Sequence, residues 1–219
     1  ILEANAEDLA DDRARGLSEA LTDRLRLDRA RVEAMAEGVR AVAGLDDPVG
    51  ELLERHTMPS GIELSKVRVP LGVIAVVYEA RPNVTIDCAA LTIKSGNAIL
   101  LRGSSYAERT NTALAAVVRD GLSEVGLPAD SVVLSTGGGR DQLAELATQE
   151  GFIDLLIPRG GEGLKNALKD VATVPVMYAA SGNCHVYVHT EADLDMAREI
   201  VLNAKVSRPG VCNAAETLL

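Results

Sequence analysis

Six short apolar runs, at residues 71–77, 98–101, 132–134, 152–157, 174–177 and 186–188, limit what this chain can fold into more than any other feature. The first contains no polar side chain, as expected of a parallel strand buried on both faces. Between the runs lie stretches with helical spacing, at about 86–94, 106–125, 140–149 and 162–170. Strand alternating with helix at this rhythm predicts an α/β fold with a parallel sheet and right-handed crossovers.

Ahead of that region, residues 1–55 read as helices. Leu2, Leu9, Leu17, Leu21 and Leu25 recur at helical spacing with charges between them. Asp28 caps a second helix reaching about Ala43, and Asp46-Asp47-Pro48 starts a third, short one. These residues hold 14 acidic and 8 basic side chains, which reads as a solvated amphipathic face. Pro59-Ser60-Gly61 marks a turn, and residues 62–69 then alternate with period two, as a half-exposed strand does. Such a polar ribbon belongs at an edge, and an edge needs covering, so a second subunit is expected there. Past the last apolar run, Glu191-Ala192-Asp193 caps a helix reaching Lys205, and Arg208-Pro209-Gly210 follows. The strand expected at 216–219 finds no neighbour in this chain.

Composition narrows the function classes. Of 219 residues, 47% are hydrophobic and 25% charged, enough for a sizeable core and too apolar for disorder. No run approaches the roughly 18–20 apolar residues of a membrane span. A net charge of −10 argues against nucleic acid as the main partner. The three cysteines are widely spaced with no CxxC pair, which fits a reducing, cytoplasmic setting. His185 and His189 are four apart but lack an HExxH frame, so no metal site is expected. Residues 1–12 are acidic, unlike a signal or transit peptide. The chain starts at Ile1 and stops within Thr217-Leu218-Leu219, and reads as a piece of something longer.

In a parallel α/β sheet, ligands bind beyond the carboxyl ends of the strands. That rule points to the loops at 78–85, 102–105, 136–140, 158–163 and 179–183. A single glycine there often only turns the chain. Gly137-Gly138-Gly139 and Gly160-Gly161-Glu162-Gly163 exceed what turning needs, and backbone amides exposed by glycine suit a phosphate. Neither segment spells GxGxxG, and no Walker lysine motif is present. From the residues alone, this is a nucleotide- or phosphate-binding α/β domain. Among the thiols, Cys88 lies on a helix face and belongs to the core. Cys184 begins a strand beside His185, but alternation points those two side chains to opposite faces. Cys212 follows a Pro-Gly turn among small residues, with Arg208 nearby to favour the thiolate that a nucleophile needs. Cys212 ranks first and Cys184 second.

A group of motifs then stands out: Val69-Pro70-Leu71-Gly72-Val73-Ile74, Tyr78-Glu79-Ala80-Arg81-Pro82-Asn83-Val84-Thr85, Lys94-Ser95-Gly96-Asn97-Ala98, Leu101-Arg102-Gly103, Ile157-Pro158-Arg159-Gly160-Gly161, Gly182-Asn183-Cys184-His185 and Arg208-Pro209-Gly210-Val211-Cys212-Asn213. In this order they resemble the aldehyde dehydrogenase superfamily, and within it the branch that reduces glutamyl phosphate. The resemblance covers nearly the whole chain and is weakest over residues 1–55.

The resemblance implies a Rossmann-like cofactor domain of the aldehyde dehydrogenase fold, preceded by N-terminal helices and followed by the start of a catalytic domain. Its boundaries would be 1–58 for the helices, 59–70 for an edge ribbon able to serve as an oligomerisation hairpin, 71–188 for the NADP-binding domain, and 189–219 for the start of the catalytic domain. It implies reduction of L-glutamyl 5-phosphate by NADPH to glutamate 5-semialdehyde and phosphate, the second step of proline synthesis from glutamate. Cys212 matches the nucleophile and Asn83 the oxyanion amide. At Leu101-Arg102-Gly103-Ser104-Ser105 many relatives read Lys followed three residues on by an acid that binds ribose hydroxyls; here Arg102 offers a cation and Ser105, beside Ser104, a hydroxyl, which favours the 2′-phosphate of NADP. Gly137, Gly138, Arg159, Gly160 and Gly161 are the remaining cofactor candidates, although the last three do not match the superfamily's phosphate loop letter for letter. Arg81 and Arg208 are candidates for the substrate anion. The general-base Glu of hydrolytic relatives aligns with Ala180, which suits a thioester that must survive to meet hydride. A cytoplasmic homo-oligomer is implied, with glutamate 5-kinase, fused to this domain in some organisms, as a possible partner. The competing readings are a non-catalytic nucleotide-binding fragment and a CoA-acylating aldehyde dehydrogenase. The 219-residue chain alone is expected to be inactive.

Overall fold

The computed structural model describes residues 1–137, 139–178, 182–209 and 211–219, with Arg140 described by its backbone. It divides into two units, Ile1–Tyr178 and Ala179–Leu219. Along the first unit run α1 (Leu2–Ala10), α2 (Glu19–Leu25), α3 (Arg29–Ala43), β1 (Leu52–Thr57), β2 (Glu63–Val67), β3 (Val73–Tyr78), α4 (Asn83–Lys94), β4 (Ala98–Arg102), α5 (Glu108–Glu124), β5 (Val132–Leu134), α6 (Arg140–Ala147), β6 (Leu155–Arg159) and α7 (Glu162–Lys169). The second holds β7 (His185–Val186), α8 (Leu194–Val206) and β8 (Thr217–Leu218). Among the described residues, no helix is long and apolar enough to cross a membrane.

The chain has the expected α/β architecture. β3, β4, β5 and β6 form one parallel sheet in the order β5-β4-β3-β6. The chain starts in β3, builds outward through β4 and β5, then returns to the other side of β3. That reversal is a topological switch point, where the loops after β3 and β6 diverge and leave a crevice. β3 is buried on both faces, so alternate residues enter different cores. Ile74, Val76 and Tyr78 pack with Ile99, Leu101 and Val132 beneath Val84 and Ala89 of α4 and Leu122 of α5. Ala75 and Val77 pack with Leu156 against Leu143 and Ala147 of α6 and Leu168 of α7. Continuous apolarity in 73–77 therefore reports two helical layers, one per face, whereas Leu71, 60% exposed, lies ahead of the strand.

The N-terminal helices dock on this frame through Met35, which meets Ile86 and Leu114. Two polar side chains fix the docking. Buried Asn5 donates to the Leu25 carbonyl at 2.9 Å and accepts from the Leu27 amide at 2.7 Å. Buried Asp8 accepts from the Thr110 amide at 2.8 Å, the Thr110 hydroxyl at 2.6 Å and the Arg109 amide at 3.2 Å. A carboxylate on first-turn amides of α5 satisfies donors that the helix itself cannot. The acidic excess is thus not all solvated face.

Several local expectations need correction. Residues 46–50 form a turn instead of a third helix. Residues 52–57, read as the end of the helical region, form β1 and pair antiparallel with β2 through the turn at Gly61, whose φ is +84°. Every residue of β1 and β2 is exposed in this chain. The run at 152–157 enters the sheet only at Leu155, because Phe152 is 75% exposed in the turn after Gly151. The run at 174–177 makes an isolated bridge, Leu156 to Val176, and not a named strand. Pro175 has no amide to donate, so regular pairing stops there.

In the second unit, the terminal strand does have a neighbour. His185 aligns with Thr217 and Val186 with Leu218 in a parallel pair, extended by the Val188 amide donating to the Leu219 carbonyl at 2.7 Å. α8 connects the two strands, capped by Asp193, whose carboxylate accepts from the Asp195 and Met196 amides. A strand at the chain end has a neighbour here because the crossover helix α8 returns the chain beside β7, a pairing the local pattern at 216–219 does not carry.

Candidate active site

In the first unit, a cleft of about 270 Å³ opens at the carboxyl ends of the parallel strands. Its walls include Tyr78 and Glu79 after β3, Arg102 to Ser105 after β4, Ser135 to Gly137 after β5, and Leu164 of α7. Arg102, Ser104, Ser105 and Gly137 are therefore brought together. Gly138 lies outside the described residues.

Arg102 ends β4 with its guanidinium turned along the cleft wall. Nη2 donates to the Gly139 carbonyl at 2.9 Å and Nε to Gln142 Oε1 at 3.3 Å. Gln142 in turn donates to Ser135 Oγ at 3.1 Å. Burial pulls the Arg102 pKa down, and the group still carries its charge, because guanidinium stays protonated far above neutral pH. Ser104 accepts from the Tyr106 amide at 3.3 Å and so caps the turn that leads into α5. Gly103 has no room for a side chain: a Cβ would stand 2.2 Å from Asn111 Nδ2 and 3.1 Å from the Tyr78 ring. Beneath the loop, the Tyr78 hydroxyl meets Thr85 Oγ1 at 2.7 Å, and Thr85 donates to Asn111 Oδ1 at 3.0 Å. Burial raises the Tyr78 pKa, so the phenol stays neutral in that chain.

Arg159 ends β6, Gly160 and Gly161 follow it, and all three face the loop after β3. The Gly161 amide, at the start of α7, donates to Glu79 Oε1 at 3.0 Å. Asn83 is the first residue of α4, exposed, and its Nδ2 donates to Asp87 Oδ2 at 2.9 Å. A carboxylate can only accept, so this bond fixes which end of the Asn83 amide is the donor end. Arg81 is half-buried in the same loop, its amide donating to the Glu79 carbonyl at 2.7 Å. Cys88, one turn along α4, is pushed up to about 11, first by burial and then by Asp87, with Arg159 opposing. It packs against the core, as its helix-face position implies.

In the second unit, Cys212 is exposed in the turn after α8. Its carbonyl accepts the Cys184 thiol at 3.3 Å and lies 2.5 Å from where a Cβ on Gly182 would sit. Glycine at 182 is therefore a packing requirement: the strand entry presses directly on the backbone of Cys212. The His185 ring turns instead to the Asn183 carbonyl at 3.0 Å. Lys205 donates to the Ala215 carbonyl at 2.9 Å and ties α8 to the far side of the turn. Arg208 is exposed four residues before Cys212. Ala180 and Gly210 lie outside the described residues.

Glu79, Asp87 and Gln142 are contacts that reading the sequence missed. Glu79 sits inside the Tyr78–Thr85 motif, but its partner Gly161 is 82 positions away, and only the pairing of β3 with β6 brings the two together. Asp87 is four residues beyond Asn83, a helical spacing that brings two side chains together. Gln142 carries no signal, because only the fold brings α6 to Arg102.

Comparison with known proteins follows the same lines. The aldehyde dehydrogenase family matches residues 1–219. A gamma-glutamyl phosphate reductase of Kineococcus radiotolerans is 57% identical over 219 residues, all of this chain and 51% of the relative. One of Clostridium novyi is 50% identical over the same 219 residues, 52% of that relative. The crystal structure of gamma-glutamyl phosphate reductase from Thermotoga maritima superposes with a TM-score of 0.88 at 44% identity, covering 99% of this chain and 52% of the other. The chain spans about half the length of the curated relatives it matches.

Proposed function

The chain belongs to the aldehyde dehydrogenase family, and from that premise we propose that it carries the cofactor cleft and the nucleophile of an NADPH-dependent gamma-glutamyl phosphate reductase. The observation that carries this reading is the 50–57% identity to proteins of that name over all 219 residues. The cleft supports it. Gly103 admits no Cβ, and an arginine with two serines lines the wall after β4, a donor set suited to a phosphorylated ribose.

In this reading the Cys212 thiolate attacks the acyl carbon of L-glutamyl 5-phosphate. A carbon–sulfur bond forms, the carbon–oxygen bond to phosphate breaks, and phosphate leaves with the electron pair. Asn83 donates its Nδ2–H to the oxygen on which charge develops, and one such donor is typically worth about 2.7–4 kcal/mol. The dinucleotide, when bound, supplies hydride. Cys212 then leaves as thiolate and frees the semialdehyde. Ala180, at the position of the hydrolytic base, leaves water unactivated while the thioester waits. Arg81 and Arg208 are assigned to the substrate's anionic groups. The product feeds proline synthesis in the cytoplasm, and a homo-oligomer would cover the exposed β1–β2 ribbon, with glutamate 5-kinase as the source of the labile acyl phosphate.

The test is the phosphate-dependent oxidation of glutamate 5-semialdehyde with NADP by the full-length protein. Turnover is expected, lost in Cys212→Ala and largely kept in Cys88→Ala. An active Cys212→Ala protein, or no turnover in a folded wild type, would overturn the reading.

A further inference from the structure

A carboxylate of the chain itself stands on the wall of the crevice at the switch point. β3 and β6 are neighbours, and the Glu79 amide continues their pairing by donating to the Arg159 carbonyl at 3.3 Å. This brings the Glu79 side chain over the turn into α7, where Oε1 accepts from the Gly161 amide at 3.0 Å. The fit is close. A Cβ on Gly160 would stand 2.9 Å from the same oxygen and 2.8 Å from Leu164 Cδ2. Glu79 and Leu164 both line the cleft assigned above to the dinucleotide. Helix N-termini at such positions attract anions through unpaired amides and the helix dipole. Here a carboxylate holds the amide that a diphosphate would seek.

We propose that Glu79 is a built-in competitor for the diphosphate of the dinucleotide. It satisfies the start of α7 in the chain alone, and an incoming diphosphate must displace it or accept a like charge beside it. This rests on the cofactor reading above. The cost falls on the diphosphate, which NADPH and NADH share. Glu79 would therefore set affinity for both dinucleotides, while Arg102 would separate them. Retaining such a residue keeps the glycine turn ordered without ligand and weakens product retention.

Glu79→Gln tests this, because glutamine keeps an oxygen for the Gly161 amide and removes the charge. In the full-length protein, titrations followed by dinucleotide fluorescence at low salt should show NADPH and NADH binding tighter by the same factor, about two- to tenfold, shrinking as salt rises. Unchanged or weaker binding by folded Glu79→Gln would overturn the proposal, as would tightening of only one dinucleotide. No binding by either wild type or variant would overturn the cofactor reading and the proposal with it. Hydrogen exchange reads the contact without any ligand. Glu79→Ala should speed exchange in residues 160–164 and leave 73–78 as in wild type; identical exchange in 160–164 would count against it.

Discussion

Arg102 shows how much a residue's role depends on its partners. Its guanidinium holds the Gly139 carbonyl and Gln142, so it shapes the loop after β5 as well as offering charge to the cleft. Arg102→Ala should therefore weaken both dinucleotides through the loop, and NADPH further through the 2′-phosphate. The extra loss should be about 1.5–3 kcal/mol, roughly ten- to a hundredfold. The ratio of the two dissociation constants isolates it. A ratio unchanged from wild type would remove Arg102 from phosphate recognition. The arginine and its serines were legible in the motif after β4. Its tie to Gln142, 40 positions away, was not.

At the scale of elements, α5 depends on a residue about a hundred positions earlier. Asp8 of α1 supplies the acceptor for the Thr110 amide and hydroxyl and the Arg109 amide. Asp8→Ala would leave the two Thr110 donors buried without this acceptor and the Arg109 amide partly buried without it. Each such loss typically costs about 1–3 kcal/mol, and the set is not additive. The denaturation midpoint of Asp8→Ala should fall clearly, with Asp8→Asn between it and wild type. A midpoint equal to wild type would show that the N-terminal helices do not brace α5. Pattern reading placed α3 well, from the Asp28 cap to Ala43, because capping and periodicity are local. It placed β1 poorly, because the strand character of Leu52-Leu53-Glu54-Arg55-His56-Thr57 arises from pairing with β2.

Over the whole molecule, the two units differ in how much they bury. In the first, β3 is closed on both faces. In the second, α8 has no buried residue, and Leu194, Met196, Ile200 and Val206 are all at least half exposed. Its strand pair spans two residues on each side. Local stability follows buried contacts, so amides of α8 should exchange faster than those of β3 in the isolated 219-residue chain. The same chain should bind NADPH and show no reductase turnover, since the acyl group must be oriented at Cys212, an effect worth up to about 7–11 kcal/mol. Equal protection of α8 and β3 would contradict the first expectation, and semialdehyde formation by the isolated chain the second.

The amino-acid sequence determined what short-range physics can carry. Apolar runs separated by helical stretches specify α/β, Asp28 and Asp193 start helices, and glycines follow strands at the end of the sheet where the cleft opens. The motif around Cys212 singles out one thiol among three as the candidate nucleophile, a choice that Cys212→Ala tests. What only the tertiary structure decided are contacts between distant segments: β7 receiving β8, Asp8 bracing α5, Gln142 holding Arg102, and Glu79 closing the start of α7. Each is a hydrogen bond whose partners are chosen by the register of the sheet and the docking of helices on it. A polar side chain carries no mark in the sequence of which distant amide or carbonyl it will meet.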